Sequence, residues 1–352
     1  SSTRRHAKVH GAKFIDSAKK RGAVAVITDE AGSQKNSDLP MLVVKDVRGA
    51  SAIIAASLYQ SPSRDLVTIG VTGTNGKTTV TTLLYQLCSL AGRESGLIGT
   101  VETRISNERI KSVRTTPEAT DLHALLAVMR ERHLRNVVME VSSHALAMGR
   151  MKGSHFSLVA FTNLTQDHLD FHKDMDSYFA AKSMLFTREF ADAAFINIDN
   201  EYGRKLAATS PLSVTTVSRT NTSADWHYVS LDSDANGITF AIRGTGGILI
   251  ESTSSLVGGY NADNVLLAVA LATEIGIDPI EIASLTPRLV GAAGRLESVS
   301  LGQPYSALVD YAHSPDAVES VLTTAREFTS GKIIAVLGCG GDRDSAKRPL
   351  MG

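Results

Sequence analysis

Gly73-Thr74-Asn75-Gly76-Lys77-Thr78-Thr79 decides how the rest of this chain is read. The apolar run Leu66-Val67-Thr68-Ile69-Gly70-Val71 precedes it, and a segment carrying Val80, Leu83, Leu84, Leu87 and Leu90 follows at helical spacing. Strand, glycine loop, Lys-Thr and helix is the order that a nucleoside triphosphate site requires. Glycines let backbone N–H groups approach phosphate, the helix N-terminus favours negative charge, and Lys77 reaches the terminal phosphates. Thr78 is placed to put its hydroxyl on Mg²⁺. The spacing departs from the common P-loop, because Val71 rather than glycine stands six residues before Lys77. The loop predicts binding of ATP or something close to it.

Composition bounds the remainder. A chain of 352 residues exceeds a single ordinary core, so two or three domains are expected. Hydrophobic content of 43% with 20% charged residues describes a soluble globular chain rather than a disordered one. Lys plus Arg and Asp plus Glu both number 36, and this balance points to neither nucleic acid nor an anionic membrane. Cys88 and Cys339 are isolated, with no CxxC, which suits a reducing cytoplasm. No apolar run is long enough to span a bilayer, and Ser1 to His6 lack the apolar core of a signal peptide.

Strands and helices alternate along the chain, the pattern of an α/β protein with mainly parallel sheets. A first unit has a helix at Phe14–Lys20, strands at Ala23–Ile27 and Met41–Val44, and a helix around Ala50–Leu58. Ser61-Pro62-Ser63 marks a boundary, since proline disfavours helix in the residue before it. Further buried strands are expected at Val137–Met139, Leu158–Phe161 and Ala194–Ile198, an antiparallel edge over 221–256, and a helix at Ala262–Ile275. Near Pro287 the pattern restarts: strand Ala307–Val309, helix Ala317–Phe328, strand Ile333–Leu337 and a Gly-rich loop.

Met139-Glu140-Val141-Ser142-Ser143-His144 closes one buried strand, where open α/β sheets place their ligands, and Glu140 can hold Mg²⁺ opposite the loop phosphates. The next strand runs into a segment where His168, Asp170 and His172 alternate, so an extended backbone would aim all three one way. A transition-metal site and hydrogen-bonded loop polars are both open readings there. Lys182 is the one cation in Tyr178-Phe179-Ala180-Ala181-Lys182-Ser183-Met184-Leu185-Phe186. It either snorkels to solvent or is desolvated, with a lowered pKa and a neutral, nucleophilic amine able to take up CO₂ as a carbamate. Thr115-Thr116-Pro117-Glu118 reads as a helix start, with Thr116 as N-cap and Pro117 at the first helical position. Its free N–H groups could hold an anionic part of a substrate.

Taken together these segments resemble the Mur ligase family, most closely the branch that adds a diamino acid. The stretches are GTNGKTT from Gly73, TTPEAT from Thr115, MEVSSHAL from Met139, FTNLTQDHLDFH from Phe161 and YFAAKSMLF from Tyr178. YNADN from Tyr260, GRLE from Gly294, VDYAHSPDA from Val309 and GCGGDRD with KRPLMG from Gly338 follow. The resemblance implies a three-domain architecture: a partial N-terminal α/β domain for the UDP substrate over residues 1–62, a central ATP-binding domain with a P-loop-type, mostly parallel sheet over 63–286, and the start of a Rossmann-like amino-acid-binding domain over 287–352. The opening of the first domain and an Asp-Asn-Pro-Arg motif that reads the amino acid are expected outside this chain. The diamino acid, L-lysine or meso-diaminopimelate, is therefore left open.

The implied activity is ATP-dependent ligation to UDP-N-acetylmuramoyl-L-alanyl-D-glutamate through an acyl phosphate, in the cytoplasm, by a monomer that inserts in no membrane and binds no nucleic acid. Gly73, Thr74, Asn75, Gly76, Lys77, Thr78 and Thr79 would cradle ATP, joined by Asn264, Arg295 and Asp310 across the domain junction. Thr78 and Glu140 would hold one Mg²⁺; Glu140, His168 and carbamylated Lys182 would hold a second. Thr115, Thr116, Ser142 and Arg150 would contact the nucleotide-sugar peptide, and Arg343 the incoming diamino acid. Competing readings are a folylpolyglutamate synthase-like ligase, a non-catalytic ligase-shaped scaffold, and a plain P-loop kinase, which would explain neither Lys182 nor the later motifs.

Overall fold

The computed structural model describes residues 9–352 except 36, 235, 300, 313–314, 328 and 339–347. An eleven-stranded sheet dominates them. In chain order its strands are β3 (Val67–Thr72), β4 (Ser95–Ile98), β5 (Glu102–Ile105), β6 (Glu108–Lys111), β7 (Asn136–Glu140), β8 (Phe156–Phe161), β9 (Ala191–Asn197), β10 (Ser213–Ser218), β11 (Trp226–Asp234), β12 (Gly237–Arg243) and β13 (Leu249–Ser254). They lie in the order β13-β12-β11-β10-β9-β8-β3-β7-β4-β5-β6. The centre is parallel: β3 pairs with β7 on one side and β8 on the other, with Val71 opposite Glu140 and Thr72 opposite Phe161.

Both faces of this centre are covered, which is why its strands read as continuous apolar runs rather than alternations. β8 sends Leu158 and Ala160 into one core and Val159 and Phe161 into the other. The first core takes Val80, Leu83, Leu84 and Leu87 from helix Lys77–Leu90 and Val265 to Ala272 from helix Gly259–Glu274. The second takes Leu122, Leu126 and Met129 from helix Ala119–Glu131, with Tyr178 and Phe179 from helix Met175–Ser183. The carboxyl ends of β3, β7 and β8 therefore open side by side between two helical layers, the crevice where such sheets bind ligands.

The antiparallel edge expected over 221–256 is β11-β12-β13. A second antiparallel edge, β4-β5-β6, closes the other side and has no counterpart in the sequence reading. Upstream, β1 (Val26–Thr28) and β2 (Met41–Val43) form a small parallel pair. Downstream, β14 (Glu297–Val299) pairs antiparallel with β15 (Ala307–Val309). The strand expected at Ile333–Leu337 is not formed: the segment has no ladder, and Ile334 and Val336 are 76% and 95% exposed. Without a hydrogen-bonded neighbour among the described residues the segment is not a strand. Among the described residues no helix is long and apolar enough to cross a membrane.

Candidate active site

Chemistry converges on the loop after β3. Gly73 and Gly76 adopt φ of +150° and +85°, and a Cβ on Gly73 would stand 1.8 Å from Thr162 Oγ1, so the tight turn demands glycine. The helix that follows has no side-chain cap, which leaves its first-turn N–H groups for an anion. Not every loop amide is available. Thr74 N–H donates to the Asn163 carbonyl (2.9 Å) and Asn75 N–H to Asn163 Oδ1 (3.0 Å), so the anion-facing donors begin at Gly76. Thr79 is buried just inside the helix.

Lys77 is folded back, its Nζ donating at 2.8 Å to the carbonyl oxygens of both Gly73 and Thr74. Burial lowers its pKa, opposed by Glu140 and reinforced by Arg295, which places the Arg295 guanidinium within electrostatic reach of the loop. Glu140, 1% exposed, sits at the end of β7. Its Oε2 accepts from Thr78 Oγ1 and Thr100 Oγ1, both at 3.0 Å, and its Oε1 from Thr100 N–H at 2.6 Å. A carboxylate and a hydroxyl in contact are a hard oxygen-donor set, which suits Mg²⁺. Thr100 escaped the sequence reading, although its place just past β4 obeys the same strand-end rule as Glu140.

Lys182 does not snorkel. It is 1% exposed, its Nζ donates to the Gly73 carbonyl at 2.7 Å, and it lies 4.7 Å from the centre of the Tyr178 ring. Burial first, then the neighbouring Lys77 charge, pushes its pKa well below that of an ordinary lysine. The same tyrosine ring packs edge-on against His168 at 6.1 Å, and Tyr178 Oη bonds Thr74 Oγ1 at 3.1 Å. Tyr178 thus links helix Met175–Ser183 to the glycine loop, a role the sequence did not signal.

The alternation of His168, Asp170 and His172 is not extended. His168 takes a left-handed φ of +55° and a short helix, Leu169–His172, follows, so the three side chains diverge. His172 turns inward to Ser143 Oγ (2.9 Å) and His168 pairs with Asp167. The rings of His168 and His172 flank His144, whose pKa falls to about 4 through burial and these two neighbours. No cluster of three or more metal-ligating His, Cys, Asp or Glu side chains occurs among the described residues.

Thr116 is not an N-cap. Helix Ala119–Glu131 starts later, with Glu118 at the cap position. The Thr116 hydroxyl instead donates to the Glu140 carbonyl (2.9 Å) and accepts from Ser142 N–H (3.1 Å), tying its loop to the end of β7. Thr115 Oγ1 accepts from Thr100 Oγ1 at 3.0 Å, and Ser142 caps the short helix Ser143–Ala147. Arg150 reaches Glu118 (3.0 Å) and the Thr116 carbonyl (3.2 Å), while its buried Nε has no partner. Thr115, Thr116, Ser142 and Arg150 therefore do form one group beside Glu140.

On the other side, Asn264 Nδ2 donates to Asn261 Oδ1 at 3.3 Å, and its Oδ1 faces Gly76 across a shallow cavity also lined by Asn163, Tyr260 and Asp263. Asp310 is engaged locally: its carboxylate accepts from Leu296 N–H (2.8 Å) and Ala312 N–H (2.7 Å) and so holds the loop that carries Arg295. Arg343 lies outside the described residues.

Known proteins share this sequence pattern and this fold. The Mur ligase middle domain matches residues 71–272, and the Mur ligase glutamate ligase domain matches residues 294–352. UDP-N-acetylmuramoyl-L-alanyl-D-glutamate--2,6-diaminopimelate ligase of Streptomyces coelicolor is 48% identical over 349 residues, covering 98% of this chain and 69% of the relative. The ligase of the same name from Corynebacterium glutamicum is 42% identical, over 98% of this chain and 68% of its own. A solved structure of such a ligase superposes with a TM-score of 0.78 at 32% identity, covering 97% of this chain and 69% of that one. Folylpolyglutamate synthase of Mycobacterium tuberculosis, complexed with ADP, shares the fold at a TM-score of 0.65 and 17% identity over 79% of this chain and 69% of its own. With one domain model spanning more than half of the chain and relatives near half identical along almost all of it, the chain belongs to the Mur ligase family.

Proposed function

We propose that this chain is an ATP-dependent ligase that joins 2,6-diaminopimelate to UDP-N-acetylmuramoyl-L-alanyl-D-glutamate, supplying a peptidoglycan precursor in the cytoplasm. One observation carries the reading. A buried and a half-buried lysine, a buried carboxylate and an uncapped helix converge on one glycine loop, beside a separate polar group of Thr115, Thr116, Ser142 and Arg150. The names of the relatives favour diaminopimelate over lysine.

The chemistry brings a carboxylate against a triphosphate and then joins it to an amine. A substrate carboxylate oxygen bonds to the γ-phosphorus of ATP as the bond to ADP breaks. The neutral amine of the diamino acid then attacks the acyl carbon, and phosphate leaves with its bonding electrons while the nitrogen gives up one proton, which phosphate takes. Charge neutralisation and positioning dominate such transfers. Lys77 supplies a cation at the loop, and Arg295 a second from across the junction. Thr78 and Glu140 would hold one Mg²⁺, and Glu140, His168 and Lys182 as a carbamate a second; the metal would neutralise phosphate charge. Lys182 is suited to that modification, because only a neutral amine attacks CO₂, releasing one proton as the carbamate forms. Arg150, with one unpaired buried N–H, is suited to an anionic part of the muramoyl dipeptide. Tyr178, 0% exposed and packed against Thr74, His168 and Lys182, keeps water from one side of a hydrolysable intermediate.

The test is ADP release from ATP in the presence of the UDP-muramoyl dipeptide, with and without diaminopimelate, against folate with glutamate. Release that needs both the dipeptide and the diamino acid is expected. Release driven by folate and glutamate would assign the chain to the folylpolyglutamate synthase-like reading, and no release would make it a scaffold.

A further inference from the structure

We propose that Gln86 is a positioning residue: it clamps the backbone at Val290 and so fixes the pivot from which Arg295 is delivered to the glycine loop. Gln86 Nε2 donates to the Val290 carbonyl at 2.8 Å, and Val290 N–H donates back to Gln86 Oε1 at 2.9 Å. A single side-chain amide thus satisfies both polar groups of one peptide residue, 204 positions away in sequence. Such two-point pairing fixes direction as well as distance, as a ladder pair does in a sheet.

Three features make this point a pivot. Upstream, Thr286 and Leu289 are 0% and 1% exposed, so the chain is bolted to the main body as far as the clamp. Downstream come Gly291, Ala292 and Ala293, small residues that wall a cavity of about 220 Å³ also lined by Gln86, Thr78 and Glu140. Room to move thus lies immediately after the fixed point. Beyond it, Gly294 has φ of +67° and Leu296 has φ of +42°, an uncommon backbone state for a branched residue, held by the Asp310 carboxylate on its N–H. Arg295 sits between those two residues.

Gln86 belongs to the helix that begins at Lys77, about 14 Å away along its axis at 1.5 Å per residue. The element that presents Lys77 to phosphate therefore also holds the root of the segment bearing Arg295. The proposal rests on the ligase reading for its catalytic consequence, but not for the clamp itself.

The test uses Gln86→Met, which keeps the length and apolar stem of the side chain and removes both hydrogen bonds. The kcat is expected to fall about tenfold, the scale of a small misplacement of a charge-stabilising group, with the KM for the UDP-muramoyl dipeptide unchanged. Added to Arg295→Ala, the substitution is expected to cost nothing further. Effects that multiply, or a kcat equal to wild type, would overturn the proposal. If Arg295→Ala alone is fully active, it is the ATP role of Arg295 that fails. Amide hydrogen exchange at Val290 needs no turnover and decides the clamp even in a chain without ligase activity. Faster exchange in Gln86→Met supports it, and unchanged exchange overturns it.

Discussion

Lys77 and Lys182 share one acceptor, the carbonyl oxygen of Gly73, at 2.8 and 2.7 Å. Two ammonium groups on one neutral oxygen, one buried and one half-buried, repel each other, and both have lowered pKa values. Burial weighs on both and Asp167 favours the charge on both, but Lys77 also has Glu140 as a favourable neighbour while Lys182 feels the Lys77 charge, so the deeper depression falls on Lys182. The proposed CO₂ capture at Lys182 would replace that repulsion with an attraction between a carbamate and Lys77.

Lys182→Ala is accordingly expected to abolish ligation, and formate or acetate to restore part of it by supplying a carboxylate in the vacated space. Full activity in the alanine variant without added carboxylate would remove the carbamate from the mechanism.

A pH dependence follows with a definite sign. A lysine whose folded pKa lies below its unfolded one binds fewer protons in the folded state, so it weakens the fold at low pH, and stability rises as pH climbs from the folded value to the unfolded one. In CO₂-free buffer, Lys182→Met should melt higher than wild type near neutrality, with the gap closing as pH approaches about 10.4, the ordinary lysine value. Parallel melting curves across that range would contradict a desolvated Lys182.

Glu140→Gln keeps the shape of the side chain but halves its acceptor capacity toward Thr78 and Thr100. Turnover is expected to fall roughly 10²–10³-fold, the scale for losing a principal electrostatic group, and a Mg²⁺ titration should shift to higher concentration. A metal dependence identical to wild type would show that Glu140 is not a ligand.

Gly76→Ala brings a Cβ to 2.3 Å from Asn264 Oδ1 at a φ of +85°. The left-handed backbone alone costs about 1–2 kcal/mol for a residue with a side chain, so ADP affinity by calorimetry should weaken by ~10-fold or more. An unchanged affinity would place the nucleotide away from this loop.

Thr116→Val retains the volume of the side chain and removes a hydroxyl that serves the Glu140 carbonyl and the Ser142 N–H in a 1% exposed position. Leaving those groups unpaired costs about 1–3 kcal/mol, readable in urea unfolding. Activity with the UDP-muramoyl dipeptide should fall more than the loss of stability explains, because Thr116 orders the loop that holds Thr115.

The sequence by itself carried the α/β class, the glycine loop between strand and helix, Glu140 at a strand end and the antiparallel edge. Each is a short-range pattern: apolar runs set by burial on both faces, glycines set by backbone angles, and a helix start set by unpaired N–H groups. Fate across long separations was beyond it. Whether Lys182 reached water or met Gly73, 109 positions away, depended on helix Met175–Ser183 packing under the sheet crevice. Thr116 looked like a cap because only the fold brings the end of β7 to its hydroxyl, and the backbone turn at His168 undid an alternation that local spacing suggested. Hydrogen bonds and desolvation act through space, so partners supplied by other strands decided which polar groups share a site.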